Sequence, residues 1–320
     1  MKYSALWEEL TDQECETLAP ENAYQERHLF SRLNGQSKAL KFFRGNELTA
    51  VFPGVVDFDS RGVKSSPLSY GQGMLYSRKF LERSVSKVAS EPEHINECFV
   101  EWLLANNFLS LNLDLAYSQQ DCRPWQWVLG KNKLPFQVQP RYSARIRLQD
   151  SSTSTLLGNL RAARRQEIAH FKQNSLSSLE VTRESACSPD ILDEYARILT
   201  RTGPLGPIAK ESLDALQRFT LAQNHFDLWQ FTIDGGVSRH FSLVALGKSE
   251  VRLMLNFTCE GSRVRGLAAF AVAKLLETYH AAGFEWLDFD GANSKDRGDD
   301  KHSFGASPQL FLNIKVDFNV

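Results

Sequence analysis

The sequence predicts a mixed α+β (α/β) chain of two tandem domains, residues 1–140 and 141–320. Each is expected to be a mixed, mostly antiparallel sheet flanked by helices. Three observations predict it. The 320 residues exceed one domain and match two of about 150 residues each. The second half holds an antiparallel meander of strand-like runs, followed by a long apolar helix and two further strands. Hydrophobic residues at 42% and charged residues at 23% are the balance of an ordinary globular chain.

The elements follow in order. Helical patterns are expected at 3–18 and 26–33. Strand-like runs at 39–44 and 48–56 flank Gly45-Asn46, a hairpin signal because such a turn needs positive φ. A Gly-, Ser- and Pro-rich loop covers 57–73, a helix 93–106, and Leu109, Leu111, Leu113 and Leu115 alternate as in a half-buried strand. Residues 137–141, with Pro140, are read as the crossover. The second half then runs strand 142–148, helix 153–174, strand 179–183, helices 189–200 and 212–224, strands 228–233, 237–246 and 250–257, helix 266–282, and strands 285–289 and 309–317.

Composition excludes several classes. Five scattered cysteines without a C-x-x-C pair argue against a disulfide framework and a zinc site. A chain this long buries roughly three quarters of its unfolded surface and needs no metal to hold it. The net charge of −1 gives no pull toward DNA or an anionic membrane. No run of about 18 apolar residues appears, and the first ten residues carry Glu8 and Glu9 rather than a signal-peptide core. The expectation is a cytoplasmic protein.

The strongest chemical signal is Arg263-Val264-Arg265-Gly266-Leu267-Ala268, between a strand and an almost wholly apolar helix. Unpaired N–H groups at that helix start, with about half a positive charge, would seat a diphosphate. Gly266 would allow close backbone approach, and Arg263 and Arg265 would add charge-assisted bonds. A plain helix start with two solvated arginines is the competing reading. The next strand places Trp286, Asp288 and Asp290 on one face, at the strand end where α/β folds bind ligands. Either carboxylate is a candidate base toward an amine, or a cap for the Gly291-Ala292-Asn293 turn. His240 is a second candidate base or a plain core histidine. In the 153–174 helix, Arg164 falls within the apolar arc, which requires either an internal pair with Glu167 or an anion in a cleft. Tyr70, with Gly71 and Gly73, either shapes an acceptor cleft or forms a turn.

The segment Leu287-Asp288-Phe289-Asp290-Gly291-Ala292-Asn293, with Lys301 and Phe304-Gly305-Ala306 beyond it, resembles the carboxyl-terminal pattern of two-domain, Fem-type members of the GNAT superfamily. The 263–268 segment is similar to that superfamily's diphosphate loop. Tyr142-Ser143-Ala144-Arg145-Ile146-Arg147-Leu148, the arginine-rich run 161–168, and Asp121-Cys122-Arg123-Pro124-Trp125-Gln126-Trp127 resemble other stretches of such proteins. The resemblance covers most of the chain, 140–310 best. It implies a degenerate GNAT-like first domain, a second domain holding an acyl-donor site, and an acceptor in the cleft between them.

By resemblance, acyl-CoA (acetyl-CoA or similar) is the donor, held by Arg263, Arg265, Gly266, Ala268, Asn256 and Phe257, with no metal. A backbone N–H near 256–258 would polarise the thioester, and Lys301 would steady an oxyanion or phosphate. Arg164, Tyr70, Asn293 and Trp286 are candidate acceptor contacts. The leading expectation is N-acylation of a small amine, with a nucleotide-linked amino sugar preferred. A Fem-type transfer from aminoacyl-tRNA to a peptide or cell-wall precursor is the alternative, although no helical-arm insertion is visible in the second half. A non-catalytic binding module of the same fold is the third reading.

Overall fold

The computed structural model describes residues 2–149, 152–200, 207–221, 225–236, 238–259 and 264–318. The chain divides into two compact units, Met1–Arg141 with Leu310–Val320, and Tyr142–Gln309. The last strand, read in sequence with the second half, clusters with the first unit.

Unit 1 opens with β1 (Tyr3–Glu9) and α1 (Asp12–Thr17), where the sequence pattern was read as one helix. Tyr3, Ala5 and Trp7 face one core at period two, so the strand period wins over the helical one. Then α2 (Arg27–Asn34), β2 (Lys38–Arg44) and β3 (Glu47–Phe52) follow, with Gly45 at φ 62° turning the hairpin. Two short strands, β4 (Val55–Asp57) and β5 (Gly62–Lys64), lie where a loop was expected. They are followed by β6 (Leu75–Tyr76), α3 (Arg78–Leu81), α4 (Val85–Ala105), β7 (Ser110–Asp114) and α5 (Arg123–Lys131). The helix α4 is eight residues longer at its start than its apolar pattern indicates, and it contains Pro92.

Strands β1, β2, β3 and β6 form one antiparallel run. In a second, β4 is antiparallel to β5, β5 parallel to β7, and β7 antiparallel to β14 (Ser307–Asp317). Ile314 and Val316 of β14 enter the same core as Leu111, Leu113 and Phe99. This burial ties the chain's end to unit 1.

Unit 2 begins within β8 (Phe136–Arg147), which runs unbroken through the expected crossover. The single helix expected at 153–174 is two, α6 (Thr153–Gly158) and α7 (Ala162–Asn174). The break is set by tertiary contact: the Arg161 N–H donates to the Ser303 carbonyl at 2.8 Å. Next come β9 (Leu179–Glu184), α8 (Pro189–Thr200), α9 (Pro207–Thr220), β10 (Phe226–Ile233), β11 (Ser238–Leu246) and β12 (Glu250–Thr258). The order ends with α10 (Leu267–Ala281), β13 (Trp286–Gly291) and α11 (Lys295–His302), the last with no counterpart in the sequence reading. The sheet order is β8-β13-β12-β11-β10-β9, antiparallel except for the β12–β13 pair.

Helix α10 is the hub of this unit. Leu267, Phe270, Val272, Leu275, Leu276 and Tyr279 are all buried against strand residues that include Val251, Leu253, Leu287 and Phe289. Each such side chain contributes about 1.5–3 kcal/mol by leaving water. The far end of the helix is moored by a polar chain: Trp229 Nε1 donates to Tyr279 Oη at 2.9 Å, and Tyr279 Oη donates to Asp227 at 2.7 Å.

In unit 1, Asp114 at the end of β7 accepts from Asn313 Nδ2 at 2.7 Å. Burial pushes its carboxyl up to about 6. A raised folded value means stability that is complete below the unfolded value, near 4, and is lost as pH rises through 6. Asp114→Asn, whose amide can donate to the unpartnered Asn313 Oδ1, removes that loss. Urea titrations are expected to show the variant gaining on the parent from pH 4 to pH 7 by about 2 kcal/mol. A pH-independent difference would contradict this.

Candidate functional site in unit 2

The site is built on a fork. Strands β12 and β13 pair only at Glu250–Trp286, Val251–Leu287 and Arg252–Asp288. Both strands continue past the last pair, to Thr258 and Gly291. Each has a local cause for leaving the other. In the β11–β12 ladder, Leu243 pairs with Leu255 and Val244 with Leu253, so Met254 is an extra residue. In the β8–β13 ladder, Arg145 pairs with Asp288 and Ser143 with Gly291, so Phe289 and Asp290 together oppose Ala144. Asp290 adopts φ 62° there. Such bulges bend strands and re-aim side chains, and they gather beside functional sites.

A buried charge network sits at the last paired position. Arg252 is fully buried. Its Nε donates to Glu250 at 2.5 Å, Nη1 to Asp290 at 3.2 Å, and Nη2 lies 3.3 Å from Asp288. Arg145 pairs with Glu250 and lies 3.4 Å from Asp288. Asp288 Oδ1 also accepts from Ser143 Oγ at 2.5 Å and from the Asp290 N–H at 2.7 Å. Asp288, a candidate base or turn cap by sequence, is a hub that holds Arg252, Arg145, Ser143 and the Asp290 backbone in place. Asp290 keeps the residual exposure, 9%, and is the carboxylate of this pair that can meet a ligand.

Lys301 on α11 donates to the carbonyls of Phe289 and, at 2.8 Å, Gly291. Burial lowers its pKa. Its ammonium clasps the carbonyls of the two residues on either side of Asp290, so it braces the bend in β13. Arg164 bonds to Glu167 and Ser303 at 2.9 and 2.8 Å, pairs with Asp300, and stacks its guanidinium over Phe304 at 4.8 Å. The expected internal pair is present, extended into a brace between α7 and α11.

Past the bulge, His240, Ser242, Asn256 and Thr258 form a polar nest. His240 Nδ1 meets Thr258 Oγ1 at 2.9 Å and Nε2 meets Asn256 Oδ1 at 2.9 Å, while Ser242 Oγ donates to Asn256 Oδ1 at 2.8 Å. Burial lowers the imidazole to about 4. His240 is thus neutral near pH 7 and orients Thr258 and Asn256. Asn256 is exposed and Phe257 is buried against Tyr195 and Phe241, at 5.4 and 5.5 Å.

Helix α10 begins at Gly266, with φ 84°, and among the described residues no side chain caps it. A Cβ on Gly266 would lie 2.2 Å from the Glu167 carbonyl oxygen and 3.1 Å from Phe171 Cβ. The close approach expected from a ligand is made by helix α7, and only glycine allows it. Arg265 is exposed and Ala268 half-buried. Arg263 lies outside the described residues.

Trp286 lines a cavity of about 300 Å³ with Arg145, Asn159 and Phe304, the Arg145 guanidinium 4.4 Å from its ring centroid. Asn293 Oδ1 accepts from the Tyr142 N–H at 2.8 Å, which is the turn-holding role. Tyr70 belongs to unit 1, its ring edge-on to Phe311 at 6.2 Å. The sequence reading missed Arg145, Glu250 and Arg252 as a set. The available signal was charge at inward positions of strands otherwise apolar. Among the described residues no group of His, Cys, Asp or Glu could hold a metal ion, and no helix is long and apolar enough to cross a membrane.

A forked parallel pair, a long helix starting beside the gap and a bulged inner strand are the architecture of the GNAT-like class. The chain's two-unit fold is similar to that of GNAT-like proteins, as comparison with solved structures shows. It is similar to FemX, with 11% identity over 96% of both chains and a TM-score of 0.60. It is similar to L-PGS from Bacillus licheniformis, with 13% identity over 98% of this chain and 94% of that one and a TM-score of 0.53. It is also similar to a tandem GNAT protein from the clavulanic acid biosynthesis pathway, with 8% identity over 98% of both and a TM-score of 0.52. At these identities the likeness establishes the fold. No family model and no curated protein matches the sequence.

The depressed histidine has a measurable consequence. An unfolded imidazole protonates near pH 6.5, the buried one only near 4. Stability is therefore lost as pH falls from 6.5 toward 4, because only the unfolded chain takes up the proton. Relative to His240→Gln, the parent is expected to lose about 2 kcal/mol between pH 7 and pH 5 in chemical denaturation. Parallel pH profiles for the two proteins would refute the buried, neutral assignment.

Proposed function

We propose that the protein is an acyltransferase that moves an acyl group from acyl-CoA to the amine of a small acceptor, a nucleotide-linked amino sugar being the preferred class. The observation that carries this reading is the fork itself, with the start of α10, uncapped among the described residues, following the free end of β12 in the chain. A helix N-terminus carries about half a positive charge and suits a diphosphate. Arg265 and the backbone from Gly266 to Ala268 would hold that group. Released from β13, the strand edge at Asn256 and Phe257 would offer backbone groups to the pantetheine amides and a donor to the thioester carbonyl.

The chemistry needs little beyond positioning. The neutral amine attacks the thioester carbon, the C–S bond breaks, and the thiolate leaves. Asp290 is the candidate acceptor for the proton lost by the amine. Asp288 and Lys301 serve by holding Asp290 at its bend, and His240 by orienting Asn256. Arg164, Asn293 and Tyr70 are bound into the protein's own contacts, which leaves Trp286 and its cavity as the acceptor-side candidate. The free thiols of all five cysteines accord with a cytoplasmic activity.

Gly266→Glu is a poor probe, since the Glu167 carbonyl leaves no room for it. Ala268→Asp instead puts a carboxylate at the helix start, where it suits the helix and repels a diphosphate. Calorimetric titration with acetyl-CoA is expected to show saturable binding to the parent. Ala268→Asp, and Arg265→Glu separately, should each weaken it on the order of tenfold, about 1.4 kcal/mol, with unchanged melting. Equal affinity in the parent and both variants would sink the donor-site reading. Silence with CoA but binding of aminoacyl-tRNA would transfer the assignment to aminoacyl transfer.

A further inference from the structure

Unit 1 contains a cavity of about 530 Å³, within the size range of small-molecule sites. Its walls are mainly apolar, from Met74, Tyr76, Phe80, Leu115 and Trp125. One wall is helix α4, which presents Val88, Pro92 and Asn96 at intervals of four residues, a single face of the helix. Two features make this wall more than a gap in packing.

Asn96 is 2% exposed, and its carboxamide oxygen has no hydrogen-bond partner among the described residues. Such a buried acceptor costs about 1–3 kcal/mol, and Asn96 lines the cavity. Pro92 has no N–H, so the Val88 carbonyl one turn earlier loses its helical donor. The charged groups lining the cavity are Glu21 and Asp121. Glu21 accepts from Ser118, and Asp121 is held ionised by its bonds from Arg123.

We propose that this cavity binds a small amine with an aromatic or branched apolar body. Its N–H groups would satisfy Asn96, and the lining carboxylates would disfavour an anion. Coenzyme A does not suit the same place. Helix α4 opens with Ser84-Val85-Ser86, without the Arg-Gly pair that opens α10. The site stands independently of the donor fork in unit 2.

The test uses the whole chain and three probes of similar shape: 2-phenylethylamine, ethylbenzene and 3-phenylpropanoate. Tryptophan fluorescence and calorimetry are expected to show saturable binding of the amine, at least tenfold tighter than either of the other two. Asn96→Leu, which removes the orphaned acceptor, should weaken the amine about tenfold and leave ethylbenzene unchanged. Val88→Trp, at the half-buried edge of the cavity, should abolish binding of all three. Acetyl-CoA titrations of the same variants report separately on the fork, and circular dichroism confirms folding. Absence of amine binding, equal affinity for the three probes, or amine binding unaffected by both substitutions would overturn the proposal.

Discussion

The rest of unit 2 depends on the pairing of Arg252 with the carboxylates of Glu250, Asp288 and Asp290. A guanidinium with no exposure is tolerable only when its donors are met, and removing one partner from such a cluster typically costs about 3–5 kcal/mol. The cluster lies on the last rung that joins β12 to β13. Below it the strands are held in register; above it each is turned aside by its own extra residues. The charges therefore mark where pairing stops, and the gap beyond that point is a defined feature rather than a frayed end.

Two further layers keep the gap open. On one side, α11 brings Lys301 to β13, where its ammonium donates to the carbonyls of Phe289 and Gly291. On the other, α7 packs its Glu167 carbonyl against Gly266, which sets the height at which α10 begins. Arg164 joins α7 to α11 through Ser303 and Asp300. Strand, helix and helix thus brace one another around an opening of a few residues. The polar nest of His240, Ser242, Asn256 and Thr258 lines the free part of β12, where an uncharged imidazole can order hydroxyl and amide groups without importing charge.

Much of this was legible in the sequence, and the exceptions have physical reasons. Helix α10 announced itself because a segment buried on nearly every side must be apolar nearly all round. Strands β10 to β12 were separated by turn residues that only certain backbones accept. The opening segment misled because Tyr3, Ala5, Trp7 and their neighbours are too few to distinguish a period of two from one of 3.6. Helix α11, Lys-Asp-Arg-Gly-Asp-Asp-Lys-His, carries no apolar stripe, since it is attached by charge and hydrogen bonds. The break between α6 and α7 arises from a bond to Ser303, a residue more than 140 positions away. Of the site, Asp288, Asp290, Lys301 and Arg164 were visible, and the pair of Arg164 with Glu167 was among the readings, but the positioning roles of Asp288 and Lys301 were not. A carboxylate that catalyses and one that positions look alike until their partners are known. Gly266 is the clearest instance: its need for a missing side chain was apparent, whereas the neighbour that demands it lies a hundred residues away.

That contact between Gly266 and α7 also bears on selectivity. The start of α10 is wedged against α7 and the bend of β13 is clasped by Lys301, so two elements of the site are held by the protein's own contacts. On the proposed donor reading, a bulkier acyl chain would take its room along the part of β12 that leaves β13, from Leu253 to Thr258, where Asn256 is exposed. On that reading, chain-length preference would rest on a few side chains of that one strand.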